Sequence, residues 1–133
     1  MNPPTGLHHV ALTVVDLDAS ARWYRRVLGL QEAFGERSEH RRAVVLGFGH
    51  GRADVGLVEH TSVDGAPFDP TVTGLDHVAF AVAERADLDG WAARLDGEGV
   101  AHSGIVEIPS GAILNFKDPD GIALSLFWDR LTN

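Results

Sequence analysis

The sequence predicts an α+β domain made of two tandem copies of one βαβββ module, on three observations. GLHHVALTV at 6–14 returns as GLDHVAFAV at 74–82, with six of nine letters identical at an offset of 68 residues. The offset persists along the chain. Trp23 aligns with Trp91, Arg26 with Arg94, Gly29 with Gly97, Val45 with Ile113, Leu46 with Leu114 and Phe48 with Phe116. A register kept through three separate segments without a gap marks a structural repeat. Finally, 133 residues with a hydrophobic share of 44% and a charged share of 23% suit one compact domain with a single core. The modules are expected at 6–70 and 74–129, joined near Thr71 to Thr73.

Each module opens on a β-branched, apolar strand, His9 to Val14 in the first and His77 to Val82 in the second. A helix follows. In the first copy Asp16 or Asp18 can cap it, Ala21, Tyr24, Val27 and Leu28 recur at helical spacing, and Gly29 supplies a left-handed stop. In the second, Asp87 is the expected cap, Leu88, Trp91, Ala92 and Leu95 form the apolar face, and Gly97 or Gly99 ends it. Trp23 and Trp91 are expected to pack against the sheets. Three more strands complete each copy: Glu32 to Ser38, Arg42 to Phe48 and Ala53 to His60, then Ala101 to Ile108, Ala112 to Phe116 and Ile122 to Trp128. Asp118-Pro119-Asp120-Gly121 is a turn, because proline presets the second position and glycine accepts a positive φ. Gly47 to Gly51 plays the same part in the first copy.

Composition removes several function classes. With no cysteine there is no disulfide, zinc–thiolate site or cysteine nucleophile. A net charge of −8 argues against a nucleic-acid partner, and the basic segment Arg37 to Arg42 is short, interrupted by Glu39, and expected to be a solvated hairpin. No apolar run is long enough for a membrane helix, and MNPPTG does not begin a signal peptide, so a cytoplasmic location and no membrane partner are expected. There is no G-x-S-x-G and no phosphate-binding glycine loop. His40, His50 and His102 fall in loops or strand ends and receive no role, and Glu107 is expected to be solvated.

The segments HHVALTVVDLDASARWYRRVLGL, GLDHVAFAV and FKDPDGIALSLFW together resemble the vicinal oxygen chelate superfamily, which includes glyoxalase I, extradiol dioxygenases, fosfomycin-resistance enzymes and bleomycin-binding proteins. The resemblance covers almost the whole chain. It implies two mixed β-sheets forming a U-shaped cleft, a small-molecule substrate or ligand, and a homodimer. It also implies a metal held by residues of the first and last strands of each module, which carries over to His9 and His77. The repeat selects His9 over His8, and strand alternation would send His8 to the other face. His60 lies 51 residues after His9, near the family's spacing for a third ligand, with Glu59 beside it as the alternative.

The chain departs from the family at the fourth position. Relatives carry a glutamate in the strand after DPDG, in the manner of IALELF, and here Ser125 stands in its place. A neutral hydroxyl is a poor ligand for a divalent ion. Three imidazoles would still suit zinc, copper, nickel or iron better than magnesium or calcium, and Glu59 in place of His60 would permit iron or manganese. The expected cofactor is zinc, iron, manganese or nickel, or none. Two functions follow. One is a metal-dependent isomerase, lyase or dioxygenase that chelates vicinal oxygens; the other is a metal-free binding or drug-resistance protein using the same cleft. Ser125, Phe127, Phe48 and Phe116 are the candidate substrate contacts.

Overall fold

The computed structural model describes residues 1–49 and 51–132 and divides into two compact units, Met1–Gly65 and the remainder from Ala66. The first holds β1 (Val10–Thr13), α1 (Leu17–Leu28), β2 (Gln31–Arg37), β3 (Arg41–Gly47) and β4 (Val55–His60). The second holds β5 (Val78–Ala81), α2 (Asp87–Gly97), β6 (His102–Ile108), β7 (Gly111–Lys117) and β8 (Ala123–Asp129). Both are βαβββ modules, as the repeat requires. The boundary, however, precedes the expected joint at Thr71 to Thr73. The Phe68 amide donates to the Asp120 carbonyl at 3.1 Å, which ties the connecting segment to the second module's turn.

Each unit is one four-stranded mixed sheet, ordered β1-β4-β3-β2 and β5-β8-β7-β6. The first and last strands of each module run parallel, and the α-helix provides the crossover that parallel neighbours need. Val10 pairs with Val55, and Val78 with Leu124. The first strands are therefore 68 residues apart but the last strands 69. One extra residue precedes β8, so the counterpart of Ser125 is Gly56, and that of Asp129 is His60.

Alternation then sorts the side chains. Leu12 on β1, Val44 and Leu46 on β3, and Val55 and Leu57 on β4 are buried on the face that α1 covers with Leu17, Tyr24, Val27 and Leu28. In the second module Phe80, Leu114, Phe116, Leu124 and Leu126 are buried on the corresponding face, under Leu88 and Leu95 of α2. A Cβ at Gly47 or Gly111 would collide with the carbonyl oxygen of Arg52 or Trp128, so these close backbone approaches require glycine.

The helices start differently. Asp16 caps α1, accepting from the Ala19 amide at 2.9 Å, and Gly29 ends it at φ 71°. Asp87 is not the cap of α2. Ala86 precedes the helix in helical conformation, and the Asp87 carboxylate instead accepts from the Glu84 amide at 2.9 Å. Trp23 is buried against Tyr24, whereas Trp91 is half-buried under the Arg94 guanidinium, so the repeated tryptophans do not pack alike.

Candidate functional site

The faces turned away from the helices carry three of the candidates, His60, Ser125 and Phe127. On the first sheet that face presents Ala11 and Thr13 of β1, Gly56, Val58 and His60 of β4, and Val45 of β3. On the second it presents Ala79 and Ala81 of β5, Ser125 and Phe127 of β8, and Ile113 and Asn115 of β7. His9 and His77 are exposed residues immediately before β1 and β5.

In each module the residue preceding the repeated histidine touches its Nδ1. Asp76 Oδ1 lies 2.6 Å from His77 Nδ1. His8 Nδ1 lies 2.9 Å from His9 Nδ1, with the two rings edge to face. His8 is therefore not sent to the opposite face from His9. Hydrogen-bonded pleating begins only at Val10, and alternation does not govern residues outside the ladder. The Asp76 contact holds the Nδ1 side of His77 and leaves Nε2 as its outward nitrogen. Asp76 was not singled out in the sequence and His8 was set aside in favour of His9, although the unlike pair LHH and LDH marks both positions.

Neither candidate third ligand reaches His9. Glu59 faces α1. Its Oε2 accepts from the Leu17 amide at 2.8 Å, and both oxygens lie 3.2 Å from an Arg42 nitrogen. These partners, the backbone amide first and Arg42 next, hold its carboxyl below the usual range. These contacts make it a fastening for the start of α1. His60 does lie on the helix-free face, but six residues beyond the position that register sets opposite His9. At the strand rise that is about 20 Å, more than two imidazoles can span around one ion. The 51-residue spacing counted residues without the register, and the register gives the equivalent position to Gly56. Among the described residues, no group of three or more His, Asp and Glu side chains could hold a metal ion.

The aromatic candidates divide in the same way. Phe127 is half-buried on the helix-free face beside Ser125. Phe116 is buried on the helix-facing side, so it is core and not lining. Phe48 lies just past β3 and is 52% exposed. Ser125 is 1% exposed and its hydroxyl has no hydrogen-bond partner among the described residues. A buried hydroxyl left unpaired costs free energy, which makes this the most conspicuous polar atom on the second face. Other polar residues are engaged structurally: Glu107 with Arg85 and Arg130, and His102 with Asp96 and the Gly104 amide. His50 lies outside the described residues.

A model of the glyoxalase/bleomycin resistance protein/dioxygenase superfamily matches residues 6–126. The chain belongs to that superfamily. A glyoxalase/bleomycin resistance protein/dioxygenase domain from Frankia sp. EAN1pec is 38% identical, with a TM-score of 0.89 over 96% of this chain and 100% of that one. The putative ring-cleaving dioxygenase MhqA of Bacillus subtilis is 34% identical over 93% of this chain, which spans only 40% of that relative's length. The fosfomycin resistance protein FosX of Listeria monocytogenes, solved with Mn(II) and sulfate, shares the fold at 19% identity and a TM-score of 0.69, over 98% and 97% of the two chains. Superfamily membership establishes the architecture and the small-molecule character of the fold, while the last strands carry this chain's own departures. Both positions where register puts a last-strand residue diagonal to the repeated histidine lack a carboxylate, being Gly56 and Ser125. At these two positions the donor that would balance a divalent ion's charge is absent. No helix among the described residues is long and apolar enough to cross a membrane.

Proposed function

We propose that this superfamily member binds a small ring compound bearing hydroxyl or keto oxygens on the helix-free face of its second sheet, without a metal. The observation that supports this most directly is the buried, unpartnered hydroxyl of Ser125 at the family's carboxylate position. Phe127 offers an aromatic surface next to it, and His77 Nε2 offers a second polar contact two residues along the neighbouring strand. His9 holds the equivalent place in the first module. The second unit carries eleven acidic and four basic residues, a formal charge of −7 of the total −8, which favours neutral or cationic ligands over anionic ones. The likeness to a putative ring-cleaving dioxygenase supports a ring compound as the ligand class.

A second reading has an observation of its own. The Asp76 contact on His77 Nδ1 is the outer partner that metal-ligating histidines ordinarily have, and it would support a zinc, iron, manganese or nickel enzyme acting on vicinal oxygens. Such a metal would act as a Lewis acid. His77 Nε2 would be its protein ligand in the second module, with Ser125 standing where the carboxylate is missing.

Calorimetric titration of the EDTA-treated protein with catechol and hydroquinone separates the two. Binding is expected to survive EDTA and to weaken about 2–10-fold in Ser125→Ala, the effect of one lost hydrogen bond. Binding or turnover that disappears with EDTA, returns with added Mn(II) or Fe(II), and is lost again in His77→Ala would replace the first reading with the second. As a converse, Ser125→Glu is expected to create Mn(II) or Fe(II) binding that the natural chain lacks.

A further inference from the structure

We propose that His8 and His9 form a two-imidazole chelate for Cu(II) within the first module, drawing no ligand from the second. The two Nδ1 atoms converge at 2.9 Å, with ring centroids 5.1 Å apart and planes at 85°. Without an ion, this contact needs one proton between two nitrogens, one donating and the other accepting. A metal ion can replace that proton and take both lone pairs.

The donor type narrows the metal: imidazole nitrogens suit copper, nickel and zinc, and the general order of divalent affinities puts Cu(II) above both of the others. Both histidines are exposed, so water can complete the coordination. Asp54 supplies nearby negative charge. Its carboxyl is held below its usual range mainly by the Phe48 amide, then by Arg52, with His8 contributing. Its oxygens are already engaged by Phe48 and Arg52, so it compensates charge and is not a ligand.

The second module sets the contrast. There the equivalent neighbour is Asp76, which gives a carboxylate–imidazole pair instead of two convergent imidazole nitrogens. A chelate of this kind is therefore specific to the first module.

The test is titration of the full chain with Cu(II), followed by visible absorption and electron paramagnetic resonance, and repeated with Zn(II). One Cu(II) per chain is expected, with nitrogen ligation in the resonance spectrum and Zn(II) weaker. His8→Ala and His9→Ala should each weaken binding by about 100-fold or more, beyond the 10–100-fold typical of losing an outer-shell partner. His77→Ala should leave it intact. Circular dichroism is expected to be unchanged in all three variants, because the side chains are exposed. Four results would each overturn the chelate: no saturable Cu(II) binding, binding retained in both His8→Ala and His9→Ala, loss in His77→Ala, or Zn(II) binding more tightly than Cu(II).

Discussion

The two modules share a backbone and differ in how they use it. In the first, α1 buries Leu17, Ser20, Trp23, Tyr24, Val27 and Leu28, and its first turn is held by two carboxylates, Asp16 and Glu59. In the second, α2 buries only Leu88 and Leu95, and its start has no side-chain cap. The last strands differ in the same sense. β4 uses Glu59 to fasten α1 to the sheet, while β8 carries Ser125 and Phe127 on the helix-free face and leaves a buried hydroxyl unpaired among the described residues. The last strand of one copy is committed to structure, and that of the other keeps a hydroxyl unpaired among the described residues. Duplication makes such a division possible because either copy alone satisfies the sheet topology.

The largest effect expected from breaking this contrast comes from the cores. Leu57 on β4 and Leu95 on α2 are both fully buried, and truncation of either to alanine should cost about 2–5 kcal/mol. The manner of the loss should differ. Leu95 is one of two buried anchors of α2, so Leu95→Ala is expected to raise amide exchange throughout α2 before global unfolding. Leu57→Ala should lower the denaturation midpoint without singling out α1, which keeps its own buried residues. Equal local exchange in the two helices would remove the distinction between the modules.

The capping difference should be smaller but sharper. Asp16→Ala removes the acceptor for the Ala19 amide and is expected to cost about 0.5–2 kcal/mol. Asp87→Ala removes only a contact to the Glu84 amide in the turn before α2, and its cost is expected to be less than that of Asp16→Ala. Thermal unfolding of the two variants in one buffer measures this, and a larger loss for Asp87→Ala would reverse the ranking.

Much of the fold was legible because its signals are local. Alternating apolar residues, helical spacing, the Gly29 stop and the DPDG turn each depend on a few neighbours, and the repeat supplied the connection order. The site depended on register, which is not local. Counting 51 residues from His9 reached His60, but the single residue inserted before β8 makes Asp129 the counterpart of His60 and Gly56 the counterpart of Ser125. The same parity separates Phe127 on the open face from Phe116 in the core, two aromatics of equal appeal in the sequence. The His8–His9 contact was hidden for a different reason. It follows from the strand starting one residue later than its β-branched run suggests, which frees both rings from the pleat.

The smallest expected effect concerns Glu59, and it depends on pH. Its carboxyl is depressed below the reference of 4.5 by the Leu17 amide and by Arg42, so the folded state favours the ionised form. Stability from this source is fully present above about pH 4.5 and is lost as pH falls through the lower folded value. Glu59→Gln removes the charge at every pH. The variant should be less stable than the natural chain at neutral pH, and the two should converge in acid, where Glu59 is protonated. Glu107→Gln provides the control in the second module, because its partners Arg85 and Arg130 form an exposed network of the kind that contributes little. Urea unfolding at pH 7 and pH 3 reads both variants. If Glu107→Gln lost more than Glu59→Gln at neutral pH, the fastening of the helix would belong to the second module, and the contrast between the two copies would have to be redrawn.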